Sequence, residues 1–136
     1  MDDLSKATSI ASSGLKAQAK RVRVISENMA NADSIAKTPG GEPYRRKLVV
    51  FRNQLSRELD AKTVRADRTT RDMTDFGRKF MPGHPGADEA GYVTTPNVNP
   101  LIEMMDMREA QRSYEANLQV ISTSRDLMSK TIEMLR

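Results

Sequence analysis

A chain of 136 residues fits one ordinary domain, but its 38% hydrophobic and 4% aromatic content, with no Trp, is thin for a well-filled core. Composition therefore excludes a comfortable globule and points to an elongated or partner-dependent fold. The absence of cysteine excludes a disulfide framework, a thiolate metal site and a thiol nucleophile, and the net charge of +4 is concentrated in the middle of the chain.

At the N-terminus, Leu4, Thr8, Ala11, Leu15, Gln18, Val22, Ile25, Met29 and Ala32 recur in steps of four and three, the spacing of one stripe on a helix. Asp2, Asp3 and Ser5 are candidate caps, and the acids suit the positive end of the helix dipole. Lys37-Thr38-Pro39-Gly40-Gly41 cannot continue the helix, so it should end near Asp33 or Ser34. Ala7, Ile10, Ala17 and Val24 fall off this stripe. Residues 1–33 show neither a secretory signal nor a membrane-spanning run. Read alone, this means a cytoplasmic protein, although an export route that needs no cleaved signal leaves the same trace.

Residues 34–96 differ in character and carry the excess charge, +4 against +1 for residues 1–33 and −1 for residues 97–136. Tyr44-Arg45-Arg46-Lys47-Leu48-Val49-Val50-Phe51 reads as a strand, Thr63-Val64-Arg65-Ala66 as a weaker one and Gly91-Tyr92-Val93-Thr94-Thr95 as a third. Pro82-Gly83-His84-Pro85-Gly86 is turn chemistry. The expectation is a small, irregular β/loop region unable to stand alone. A basic middle can bind phosphate or an acidic protein surface, but Asp67, Asp72 and Asp75 are interleaved, so a solvated or intersubunit face is the better reading and nucleic acid a minor one. Tyr44, Arg45, Arg46 and Lys47 are candidate contacts for a neighbouring molecule, since consecutive side chains cannot share one strand face. They also read as the polar face of a strand. His84 is the only histidine; with Asp88 and Glu89 nearby it lacks any further ligand at metal-site spacing, and a structural role is the better account. No catalytic, metal-binding or cofactor-binding constellation is expected.

From Asn97-Val98-Asn99-Pro100, a cap followed by Pro at the first helical position, a long helix should run to the C-terminus. Met104, Met107, Gln111, Tyr114, Leu118, Ile121, Arg125, Met128, Ile132 and Leu135 keep a three-four alternation throughout. Such a stripe needs a partner, because isolated helices are marginal in water. The simplest is the N-terminal helix, antiparallel, with Leu4 near Ile132 and Leu135 and Ala32 near Met104. Leu101, Ile102, Met105, Ala110, Ala116, Val120, Leu127 and Met134 lie off the stripe, as expected for a helix with several neighbours. Gln18, Gln111 and Arg125 interrupt the stripes and can set register. The fold class is mainly α: residues 1–33 and 97–136 as one antiparallel coiled-coil hairpin, with residues 34–96 as a β/loop region between them. An ordinary soluble four-helix dimer also fits this pattern, and so does an export chaperone. A basic coiled-coil DNA-binding protein fits less well, because residues 97–109 carry only Arg108 against three acids.

Ala11-Ser12-Ser13-Gly14-Leu15, Ala17-Gln18 and Val24-Ile25-Ser26-Glu27-Asn28-Met29-Ala30-Asn31-Ala32 resemble the N-terminal signature of bacterial flagellar axial proteins. Asn97-Val98-Asn99, Glu103-Met104, Met107 and Gln111-Arg112-Ser113-Tyr114-Glu115-Ala116-Asn117 resemble its C-terminal signature. The middle segments 38–47 and 82–93, and the short length, are similar to the proximal-rod members of that family. Glu27 and Asp33-Ser34 depart from the common pattern. The resemblance implies a structural rod subunit that transmits torque, made without a cleaved signal, exported by the flagellar type III route and assembled in the periplasm. It implies contacts with further copies, other rod proteins, the export apparatus and the adaptor at the membrane ring. The assembly residues it suggests are Leu15, Val22, Ile25, Asn28, Met29 and Asn31 at the N-terminus. At the C-terminus they are Met104, Met107, Gln111, Tyr114, Leu118, Ile121, Met128, Ile132 and Leu135.

Overall fold

The computed structural model describes residues 2–136, in which two long helices flank four strands. α1 (Asp2–Ala30) opens with two acids in its first turn, where unpaired N–H groups favour negative charge. It stops slightly before the expected Asp33 or Ser34, for a local reason. The Asn31 amide donates back to the Glu27 carbonyl (2.9 Å) and the Ser34 hydroxyl donates to Asn31 Oδ1 (3.1 Å), so side chains replace the bonds of a further turn. α2 (Pro100–Met134) starts where the Asn-Pro signal puts it. Asn99 Oδ1 accepts the Leu101 N–H (3.1 Å), and the Asn99 carbonyl accepts the Glu103 N–H (3.1 Å). Among the described residues no helix is long and apolar enough to cross a membrane.

β1 (Lys47–Ser56) and β2 (Ala61–Arg71) form one two-stranded sheet, and β3 (Gly77–Phe80) and β4 (Tyr92–Thr95) another. In the second, antiparallel pair, Gly77 faces Thr95 and Phe80 faces Tyr92, whose rings meet edge to face at 5.2 Å. Sequence patterning predicts three strands and four are present. β1 starts later than Tyr44 and continues past Phe51 through exposed Arg52, Asn53, Gln54 and Leu55, while β2 extends well beyond 63–66. β3 escapes the pattern, because all four of its residues are exposed and it shows no apolar alternation. Backbone pairing with β4 holds β3 rather than burial of its side chains, and hydropathy does not register it. Asp60 takes a left-handed conformation (φ 46°) in the turn between β1 and β2, which Asp tolerates better than most residues.

The chain divides into two compact units. The first comprises residues 2–22, 49–68 and 108–136. Its buried side chains are all small: Ala11, Ala17, Ala110 and Ser124. A Cβ on Gly14 would lie 2.7 Å from Asn117 Nδ2, so the glycine allows a close helix approach. Arg21 reaches Glu109 at 3.6 Å, and the Val64 N–H donates to the Ser13 hydroxyl (3.3 Å). The expected register pairs Leu4 with Ile132 and Leu135; with Gly14 against Asn117, antiparallel counting puts Leu4 opposite residues near 127 instead. The end of α2 past Lys130 is left exposed.

The expected stripe on this part of α2 is also corrected. The less exposed positions are Ala110, Ser113, Asn117, Ile121, Ser124 and Met128. Ser113, Asn117 and Ser124 take the places assigned to Tyr114, Leu118 and Arg125, and on α1 Ala17, off the expected seam, is buried. Both adjacent stripes repeat at three and four residues. Close approach selects the one with small side chains, which periodicity alone cannot distinguish.

The second unit comprises residues 23–48 and 69–107, with Val24, Ile25, Ala36 and Val93 buried. The Ala36 N–H donates to the Thr94 carbonyl (3.2 Å), joining the segment after α1 to β4. Gly86 lies against the same segment: a Cβ there would fall 2.1 Å from the Ala36 carbonyl oxygen. Gly86→Ala is therefore expected to destabilise this unit by about 1–3 kcal/mol through overpacking against rigid backbone. Hydrogen exchange at the Ala36 and 92–95 amides should quicken, and unchanged protection would contradict this packing.

Candidate assembly surfaces and the clamp behind them

Asn28, near the end of α1 and 1% exposed, makes hydrogen bonds with both halves of its amide. Its Oδ1 accepts the Tyr44 hydroxyl (2.7 Å) and the Lys47 N–H (2.9 Å), while its Nδ2 donates to the Lys47 carbonyl (2.8 Å) and to Glu103 Oε2 (3.3 Å). Bonding both the N–H and the C=O of one residue is what a neighbouring strand does, so Asn28 anchors the start of β1 as a side-chain substitute for a strand. Glu103, on the first turns of α2, is 0% exposed and accepts from Arg46 Nε through its other oxygen. Arg46 Nη1 and Nη2 reach Asp72 (3.2 Å) and Asp106 (3.3 Å), so one guanidinium joins three carboxylates. Asn97 accepts the Arg46 N–H (2.8 Å) and donates to the Asp72 carbonyl (2.9 Å). Arg45 stacks on Phe76 at 4.1 Å, and Lys47 pairs with Glu27. The cluster ties the end of α1, the start of β1, the turn after β2 and the start of α2 into one clamp.

Burial works against the Arg46 cation, but the hydrogen bonds and charges of Glu103 and Asp72 outweigh it and hold the group above its ordinary value. The Asp72 carboxyl is lowered chiefly by the Thr74 backbone N–H, against the effect of burial and with help from the Thr74 side chain and Arg46. Burial, then the charges of Glu27 and Glu103, push the Tyr44 phenol from 10.0 up to about 12. Folding thus favours the protonated phenol, and this stabilisation is complete below about pH 10 and lost as pH rises toward 12. A phenolate absorbance titration is expected to show a late-ionising tyrosine that Tyr44→Phe removes. Loss of an earlier step in that variant would contradict the assignment.

The clamp holds geometry and presents no nucleophile paired with a base. His84 likewise serves its turn: its Nδ1 accepts the Gly86 N–H (2.9 Å), while Asp88 pairs with Arg78 (2.9 Å) and accepts the Tyr92 N–H (2.9 Å).

The residues singled out for assembly separate into two groups. Ile25 and Asn28 are buried, and Leu15, Val22, Asn31, Tyr44, Arg45, Arg46, Lys47, Met107, Ile121 and Met128 are partly covered. Met29, Met104, Gln111, Tyr114, Leu118, Ile132 and Leu135 are exposed. In the first unit, Tyr114 and Leu118 are exposed on one side of α2 and Val120 and Leu127 on the other, and a groove of about 460 Å³ is lined by Ala19, Val22, Gln111, Tyr114 and Glu115. In the second unit, Leu101, Ile102, Met104 and Met105 face outward around buried Glu103. Large apolar side chains displayed in this way are candidates for an interaction surface. Sequence reasoning missed the roles of Glu103, Asp72, Asn97 and Asp106. The available signal was Glu103, a charge set among the apolar positions of the C-terminal signature.

Comparison with known proteins matches both ends of the chain. A family described as "Flagella basal body rod protein" matches residues 9–34, and one described as "Flagellar basal body rod FlgEFG protein C-terminal" matches residues 89–134. Asn28 and Glu103 of the clamp lie in these two segments. The chain is 52% identical over 136 residues to flagellar basal-body rod protein FlgC of Agrobacterium fabrum, covering 100% of this chain and 98% of the relative. It is 42% identical to FlgC of Yersinia enterocolitica, with 92% of each chain covered, and 36% identical to FlgC of Aquifex aeolicus, with 98% of each covered.

Proposed function

The chain belongs to the flagellar basal-body rod protein family, and from that premise we propose that it builds the proximal rod and carries torque from the motor toward the hook. As a member of that family it is a structural component of the flagellar basal body and not an enzyme. Its two terminal helices act as the polymerising element, an antiparallel coiled-coil hairpin whose outer faces pack against neighbouring subunits. The clamp around Asn28, Arg46 and Glu103 sets how the β strands attach to the helix ends.

The observation that carries this reading is the inversion of the first unit, whose buried side chains are Ala and Ser while Tyr114, Leu118, Val120 and Leu127 face out. These side chains are already about half covered, so burying the rest against a neighbour is worth about 1 kcal/mol each, and this gain is open only to an assembled chain. Met104, Met107, Gln111, Tyr114, Leu118, Ile121, Met128, Ile132 and Leu135 supply the α2 side of these contacts, with Leu15, Val22 and Met29 on α1. The partners are further copies, other rod proteins and the adaptor joining the rod to the membrane ring and export apparatus. The chain passes through the type III export machinery and assembles in the periplasm. The absence of cysteine suits that route.

Electron microscopy of basal bodies from cells lacking the gene tests the reading. Incomplete rods without hooks are expected, and complete rods bearing hooks would overturn it.

A further inference from the structure

Past Lys130, α2 is exposed, and its last large side chains are among the most open in the molecule, Met134 at 86% and Leu135 at 82%. Glu133 lies beside them, flanked by Lys130 and Arg136. In the second unit a groove of about 580 Å³ has a mixed lining, with the apolar side chains of Ile35, Met81, Pro96 and Val98 beside polar Asp33, Arg78, Lys79 and Thr95. Neighbouring Arg78 is committed to Asp88 (2.9 Å), whereas Lys79 has no ion pair among the described residues.

We propose that this groove receives the end of α2, residues 130–136, from a second copy of the chain. The inference rests on the rod-subunit reading and names one contact within it. The chemistry matches: Met134 and Leu135 meet the apolar part of the lining, Glu133 meets Lys79, and the cations flanking Glu133 suit Asp33. Pro100, the first residue of α2, is part of the lining, and a 35-residue helix rises about 52 Å, so it cannot bring its own last turn back to its first. A contact between two different surfaces does not close on itself. It repeats from copy to copy, as a growing structure requires.

The natural absence of cysteine makes the test clean, because every introduced thiol is unique. Cells whose only copy carries both Lys79→Cys and Glu133→Cys are treated with a short bismaleimide, and purified basal bodies are run on a denaturing gel. A ladder of dimers, trimers and higher species is expected, with no ladder from either single variant. Adding Leu135→Asp to the double variant should cut ladder yield at least tenfold. Lys79→Glu and Glu133→Lys should each reduce swimming, and their combination in one chain should restore it. Motile cells whose basal bodies contain the double-cysteine chain but yield no ladder would overturn this contact and leave the rod reading intact. Absence of the unsubstituted chain from purified basal bodies would bring down the rod reading and this contact with it.

Discussion

Replacing Arg46 by Ala is expected to unfold the clamp and abolish motility, at a cost of about 3–5 kcal/mol to the unit that contains it. The guanidinium bonds Glu103, Asp72 and Asp106 at once, and Glu103 has no exposure through which water could take over. Removing the cation leaves three acids facing one another, one of them fully buried. Glu103→Ala should cost less, because Arg46 keeps Asp72 and Asp106. A loss of this size is a large share of the roughly 5–15 kcal/mol that holds typical domains together. Hydrogen exchange at the Arg46 and Lys47 amides of the full chain reads the effect, since these bond Asn97 and Asn28. A change of less than about 1 kcal/mol for Arg46→Ala would show that the clamp does not carry the attachment of β1.

Leu118→Asp is expected to do the reverse, leaving the single chain intact while destroying assembly. The side chain is already 50% exposed, so the free chain gives up only about half of a Leu side chain's burial, roughly 1 kcal/mol. Placed in an apolar contact between subunits, an unpaired carboxylate costs a hot-spot-sized ~2 kcal/mol or more, about thirtyfold per contact, and the loss repeats at every copy. Non-motile cells with normal levels of the protein and no incorporation into basal bodies are the predicted phenotype. Ala110→Leu provides the contrast. Ala110 is fully buried in the small-residue seam, and overpacking there should lower the stability of the free chain by about 1–3 kcal/mol. If Leu118→Asp destabilised the free chain as much as Ala110→Leu, the outward assignment of Leu118 would be wrong.

Both helices were legible because their signals are local: acids at Asp2 and Asp3, and an Asn99 cap followed by Pro100. Which side of each helix turns inward was not legible. Tyr114, Leu118 and Leu135 look like a seam to any hydropathy count, whereas Gly14, Ala17, Ala110 and Ser124 form it by allowing close approach. Hydrophobic periodicity finds a face in need of cover but cannot say whether the cover is the same chain or another. The clamp was hidden for a different reason. Glu103 and Asp72 are 31 residues apart and read as ordinary surface charges until Arg46 is placed between them. Strand β3 left no trace in the pattern, because backbone pairing holds it while its side chains stay exposed.

When the chain joins the rod, the exposed apolar side chains of α2, which lie on more than one side of the helix, are expected to become buried. Methionine oxidation measures this directly, since Met104, Met105 and Met134 are exposed in the single chain and become sulfoxides readily when open to solvent. Mass spectrometry after brief peroxide treatment should find these three oxidised in the purified chain and protected in intact basal bodies. Equal oxidation in both states would mean that these side chains stay in water after assembly, and would overturn the burial of α2 in the rod.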